Sequence, residues 1–185
     1  MILPIYAYGQ AVLKKEAIDI EENYPDFKQL VENMWETMYN AQGIGLAAPQ
    51  IGLAIRVFMV DTVQVMDDDK KNEGIKQVFI NAHKVEEGGE PWAYEEGCLS
   101  IPDVRGDVTR PPQLKITYLD ENFKEHTKIF NGMNARVIQH EYDHIDGILF
   151  TEHLKPIRRR LIRKKLENIK KGKIISDYKM KFAKR

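Results

Sequence analysis

Apolar residues recur at helical spacing through "PDFKQLVENMWETMYNAQG", where Phe27, Leu30, Val31, Met34, Trp35 and Met38 fall on one stripe. Asp26 stands where an N-cap belongs and Gly43 where a helix stops. The pattern then changes. "IRVFMVD" and "KQVFINA" are short β-rich runs that read as strands, separated by the polar, charged loop "VMDDDKKNEG". "QLKITYLDENFKEHTKIF" reads as a hairpin turning at Asp120, Glu121 and Asn122. "NGMNARVIQHEYDHIDG" reads as a second helix ended by Gly147, and Met133, Val137 and Ile138 make it largely buried. "KPIRRRLIRKKLENIKKG" reads as a third helix, basic and poorer in apolar residues. Strands and helices do not alternate regularly, so the expected fold class is α+β: one domain with antiparallel or mixed sheets around a buried helix, plus N-terminal and C-terminal helices.

Composition changes this picture little. A chain of 185 residues, 43% hydrophobic and 30% charged, suits one soluble domain with a sizeable core. Its 28 basic and 28 acidic residues balance, so overall charge does not point to nucleic acid. The distribution is uneven, however: ten Lys and Arg lie between Lys155 and Lys173, against one acid, Glu167. No apolar run approaches the roughly 20 residues that cross a bilayer. The opening "MILPIYAYGQ" lacks the basic and apolar regions of a signal peptide. A single cysteine, Cys98, excludes an intrachain disulfide and fits a reducing compartment. The expectation is a cytoplasmic protein with no membrane partner.

The second helix carries His140-Glu141-Tyr142-Asp143-His144, an H-E-x-x-H. Histidines four residues apart project from one helical face and can hold one metal ion, with the glutamate beside it as a base. A catalytic site of this kind takes three protein ligands and leaves one position open. The metzincin pattern fails, because Phe150 stands where its third histidine belongs. Glu167 lies within a strongly basic helix, and His83 and His126 have no ligand pattern around them. Cys98 remains. Gly97 before it and Ser100-Ile101-Pro102 after it make an extended, tightly turned segment where the backbone can approach another group closely. A Cys/His/His site results, and ligand type allows zinc, iron(II), cobalt or nickel.

"GIGLAAPQ", "EEGCLSIP" and "QHEYDHIDG", in this order, resemble the three motifs of the peptide deformylases, G-x-G-x-A-A-x-Q, E-G-C-x-S and Q-H-E-x-D-H, and match each in full. The resemblance runs from the first helix to about Leu149. It implies metal-dependent hydrolysis of the formyl group from N-formylmethionyl nascent peptides. The alternatives are an H-E-x-x-H metallopeptidase and a catalytically silent peptide-binding relative. It also implies that Cys98, His140 and His144 hold one divalent ion, iron(II) in the cell. Glu141 then moves the protons, and the Gln50 amide and Leu99 N–H stabilise charge on the formyl oxygen. Ile44 and Gly45 pair with substrate backbone, with Gly97 as a further place of close approach. Ile44, Met133, Val137 and the stem of Glu96 are candidates for the methionine pocket, though plain core is an equal reading of the apolar ones. Arg105 reaches the peptide further along or makes a surface ion pair. Asp143, between the ligands, orients them or fixes the helix.

The division expected is a catalytic domain over 1–155 and, within the same unit, a basic C-terminal helix and tail over 156–185. The helix resembles that of type 1 bacterial deformylases and implies ribosome contact. Since the ligands and Glu141 precede Lys155, removal of everything after it is expected to leave turnover on a short peptide largely intact.

Overall fold

The computed structural model describes residues 1–183; Lys184 and Arg185, the end of the expected 156–185 segment, lie outside the described residues. In chain order the regular elements are β1 (Ile5–Tyr6), α1 (Phe27–Asn40), β2 (Gly45–Ala47), β3 (Val57–Asp61), β4 (Lys76–Gly88), β5 (Trp92–Cys98), β6 (Ile101–Arg110), β7 (Gln113–Leu119), β8 (Glu125–Asn131), α2 (Gly132–Ile145), α3 (Pro156–Lys170) and β9 (Met180–Lys181). Short 3₁₀ turns join several of them, including Asp68–Glu73 within the segment expected to be a plain loop.

A five-stranded antiparallel sheet, ordered β2-β3-β4-β7-β8, forms the centre. Alternation along β3 explains how it is covered. Phe58 and Val60 join a core with Phe79, Tyr118, Ile138 and Ile145, the last two from α2. Val57 and Met59 point the other way, into a core with Val31, Met34 and Met38 of α1. The two helices therefore lie on opposite faces, and β3, buried on both, reads as a continuous apolar run rather than a half-buried strand. α2 is enclosed nearly all round, as the sequence predicts. The fold is α+β, with antiparallel sheets dominant.

The structure differs from the sequence reading at three places. Asp26 adopts a left-handed conformation (φ 51°) and its side chain makes no capping bond; a short polar residue tolerates that conformation, but it turns the carboxylate away from the helix N–H groups. At the other end, left-handed Gln42 (φ 56°) turns the chain, with Gln42 N–H donating to Tyr39 O (3.0 Å) and Gly43 N–H to Met38 O (2.9 Å). This is a Schellman ending one residue before the expected glycine. Gly43 is needed for a different reason: a Cβ there would lie 2.7 Å from Leu99 Cδ1. Third, the segment around Cys98 is part of a long hairpin, β5-β6, turning through Leu99 and Ser100. α3 packs Ile162 and Ile169 against Val104 and Val108 of that hairpin. The tail beyond α3 returns to the N-terminus, where β9 pairs in parallel with β1. No helix among the described residues is long and apolar enough to cross a membrane.

Candidate active site and metal centre

α2 presents a different set of residues on each side. Ala135, Ile138, Tyr142 and Ile145 enter the sheet core. Val137, His140 and Glu141 face a cleft of about 580 Å³ between α2, β2 and the β5-β6 hairpin. Every residue that the sequence analysis placed in the site lines this cleft except His144, which is buried and lies 3.3 Å, Nε2 to Sγ, from Cys98.

The ligand atoms of Cys98, His140 and His144 all lie within 4.8 Å of one another. Burial pushes the Cys98 thiol up, but His144 and His140 outweigh it and bring it down to about 5. The shift favours the thiolate, the form that binds metal. Burial pulls His140 down, yet its hydrogen bonds to Cys98 and Glu96 raise it well above the ordinary imidazole value. Two buried atoms, Glu141 Oε2 and His144 Nδ1, have no hydrogen-bond partner among the described residues. A thiolate, two imidazoles and an unpaired carboxylate oxygen at one point suit a divalent cation with a polarised water beside it.

Glu141 is almost fully buried, and burial pushes its carboxyl up to about 7, against the pull of both imidazoles. Gly45 on β2 comes so close that a Cβ would lie 2.4 Å from Glu141 Oε1. Gln50 is buried as well. Its Oε1 accepts Ala47 N–H (2.9 Å), which aims Nε2 at Cys98 Sγ (3.5 Å) and Ser100 Oγ (3.3 Å).

Behind the Cys/His/His group lies a network in which Asp143 was expected from the sequence, as a residue that orients the ligands or fixes the helix, and Arg110, Arg136 and His153 were not. The Nδ1–H of His140 donates to Glu96 Oε2 (2.9 Å), leaving Nε2 to face the centre. Arg110 donates to both Glu96 oxygens (2.7 and 3.0 Å) and to Asp143 (2.8 Å), and Arg136 donates to Glu96 (2.8 Å). His153 donates to Asp143 (2.8 Å). Burial alone would raise the Glu96 carboxyl, but His140 and Arg110 hold it well below the usual carboxylate range. Asp143 is lowered too: burial opposes the shift, and the His153 hydrogen bond and the Arg110 charge overcome it. Glu96 thus lines the cleft with its stem and orients a ligand with its carboxylate. A partial signal for Arg110 exists: it shares the inward parity of β6 with Val104, Gly106 and Val108. Arg105, of opposite parity, is exposed at the cleft mouth and makes no ion pair among the described residues.

A mixed helix-and-sheet domain with a Cys/His/His group and a poised carboxylate in one cleft defines the class: a metal-dependent hydrolase. Comparison with known proteins narrows it. The family model described as polypeptide deformylase matches residues 2–160. A peptide deformylase of Christiangramia forsetii is 56% identical over 98% of this chain and 96% of its own; one of Cytophaga hutchinsonii is 54% identical over 98% of each. Among solved structures, a peptide deformylase from Legionella pneumophila superposes with a TM-score of 0.81 at 34% identity, covering 94% of this chain and 98% of that one. One from Plasmodium falciparum gives 0.82 at 30% identity, covering 91% and 95%. The chain belongs to the polypeptide deformylase family.

Proposed function

We propose that Cys98, His140 and His144 hold one divalent ion, iron(II) in the cell, in an enzyme that removes the formyl group from N-formylmethionyl nascent peptides and releases formate. The observation that carries this is the convergence of three ligand atoms within 4.8 Å at the floor of a cleft that also holds Glu141. When bound, the ion supplies Lewis acidity toward the formyl oxygen and lowers the pKa of water; zinc, nickel and cobalt suit the same donors.

The chain's own residues do the rest. Glu141 takes the proton of the attacking water and passes it to the departing amine, and its burial beside the ligands favours a carboxyl that can both accept and return a proton. Negative charge develops on the formyl oxygen, where the Gln50 amide and the Leu99 N–H donate. β2 is an edge strand, so Ile44 and Gly45 offer backbone groups to an extended peptide, as an added strand would. Ile44 and Met133 are half-buried against the cluster that contains Val137, and with the stem of Glu96 they form an apolar wall for a methionine side chain. Gly97 leaves room beside the peptide, and Arg105 meets it further along. Residues 1–155 supply the metal ligands, Glu141 and the oxyanion donors, and 156–185 form a basic extension of the same unit that contacts the ribosome through α3. The setting is the cytoplasm.

The test is incubation of the metal-loaded enzyme with a formyl-Met tripeptide. Release of formate with the peptide chain intact is expected. Internal cleavage would make the protein a metallopeptidase, and neither product would leave a binding module.

A further inference from the structure

The turn between Cys98 and Ile101 consists of Leu99 and Ser100. Central residues of a two-residue hairpin turn have no partner for their carbonyls within the ladder, and a turn so placed swings unless something else ties it. Here both carbonyls are tied, one by each end of the chain. Tyr8 N–H donates to Ser100 O (2.8 Å), and the Tyr178 hydroxyl donates to Leu99 O (2.7 Å). The two ends are in turn tied to each other. Ile5 N–H donates to Lys179 O (2.8 Å), Ala7 N–H donates to Lys181 O (3.0 Å), and the Gln10 amide reaches the carbonyls of Lys181 (3.1 Å) and Phe182 (2.7 Å). Tyr178 itself is half-buried and forms part of the cleft wall.

We propose that the C-terminal tail completes the active site, with Tyr178 as a positioning residue that fixes the Leu99–Ser100 turn and so aims the Leu99 N–H at the formyl oxygen. This rests on the reading that Leu99 N–H is a donor to the developing oxyanion. The geometry favours turn positioning over ligand positioning. The tyrosine bonds the carbonyl on the far side of Leu99 from Cys98, while the sulfur is already held among His144, His140 and Gln50. It also reverses the expectation that everything after Lys155 is dispensable for turnover, because that cut removes Tyr178 and β9.

The experiment compares full-length wild type, Tyr178→Phe and Tyr178→Leu, each loaded with the same metal, on a formyl-Met tripeptide. Tyr178→Phe keeps the ring and loses only the hydroxyl; Tyr178→Leu keeps an apolar filler. Both should lower kcat about 10-fold, less than the roughly 100- to 1,000-fold that removal of a direct donor costs. KM should stay within about twofold, and metal content should remain one per chain. Unchanged kcat in Tyr178→Phe overturns the proposal. So does a fall in kcat matched by metal loss, which would place the effect on Cys98, or a rise in KM alone, which would make Tyr178 a substrate contact. A wild type that releases no formate overturns the functional reading itself, a result distinct from any of these.

Discussion

Glu96 shows how much a single side chain is asked to do. Its carboxylate accepts from His140, Arg110 and Arg136 in a nearly water-free setting, and by fixing the His140 ring it settles which nitrogen faces the centre. Charged groups so buried are stable only as a set. Replacing Arg110 by Met leaves Glu96 and Asp143 undercompensated and should cost about 3–5 kcal/mol, read by denaturant unfolding. The pH dependence follows from the same pairing. Glu96 and Asp143 are both depressed in the folded protein, so the folded state binds fewer protons than the unfolded chain, and stability rises with pH across that window. The contribution is complete above the ordinary carboxylate value of about 4 and is lost as pH falls below it toward the folded values. Arg110→Met should flatten that slope; an unchanged acid limb would show that the network does not govern it. A second prediction separates binding from chemistry. Cys98→Ala should lose metal by elemental analysis, whereas Glu141→Ala should keep it and lose roughly 100- to 10,000-fold in turnover. Near wild-type turnover in Glu141→Ala would remove its assigned role. The grouping of Cys98, His140, His144 and Glu141 in one place was legible in the sequence because the motifs that carry them are local. The arginines were not, because their partners lie 14 to 40 residues away in sequence, as with Glu96 and Arg136, and a lone arginine in a strand carries no mark of burial.

At the scale of elements, α2 and the first strand runs could be read because their periodicity is strong and their burial uniform. The β5-β6 hairpin was harder. Its first strand, β5, does not alternate: Glu95, Glu96 and Gly97 stand together in the run from Trp92 to Cys98, and the hairpin packs on α3 rather than joining the central sheet. Only the turn at its tip was anticipated. Yet the site depends on how three elements meet: α2 gives the histidines and the base, β5 the thiolate, and β2 the edge that lies against them. At Gly45, β2 lies so close to α2 that there is no room for a side chain. Gly45→Ala would place a methyl 2.4 Å from Glu141 Oε1, so either β2 or the carboxylate must shift. A displacement near 1 Å can cost on the order of 100-fold in rate. The expected outcome is a loss of that order with metal content intact and α2 still folded by circular dichroism. Full activity in the alanine variant would mean that β2 does not register Glu141.

The whole molecule joins its two chain ends beside the chemistry, and this decides how its basic surface must be tested. α3 exposes Arg159, Arg160, Arg163 and Lys164, while Ile162 and Ile169 bury the opposite side and Arg158 donates to Arg105 O at the cleft mouth (2.5 Å). Truncation after Lys155 would remove the charges, the packing and Tyr178 together. Charge reversal isolates the first. We predict that changing Arg159, Arg163 and Lys164 to Glu leaves formate release from a short peptide within about twofold of wild type, because these side chains make no hydrogen bond or ion pair among the described residues. Co-sedimentation with ribosomes should fall sharply at low salt. Wild-type co-sedimentation should itself weaken steeply as salt rises, since exposed charges are screened over about 8–10 Å near physiological ionic strength. If the reversed variant sediments with ribosomes as well as wild type does, α3 is a solvated buttress of the hairpin and the docking role falls, with the catalytic assignment untouched.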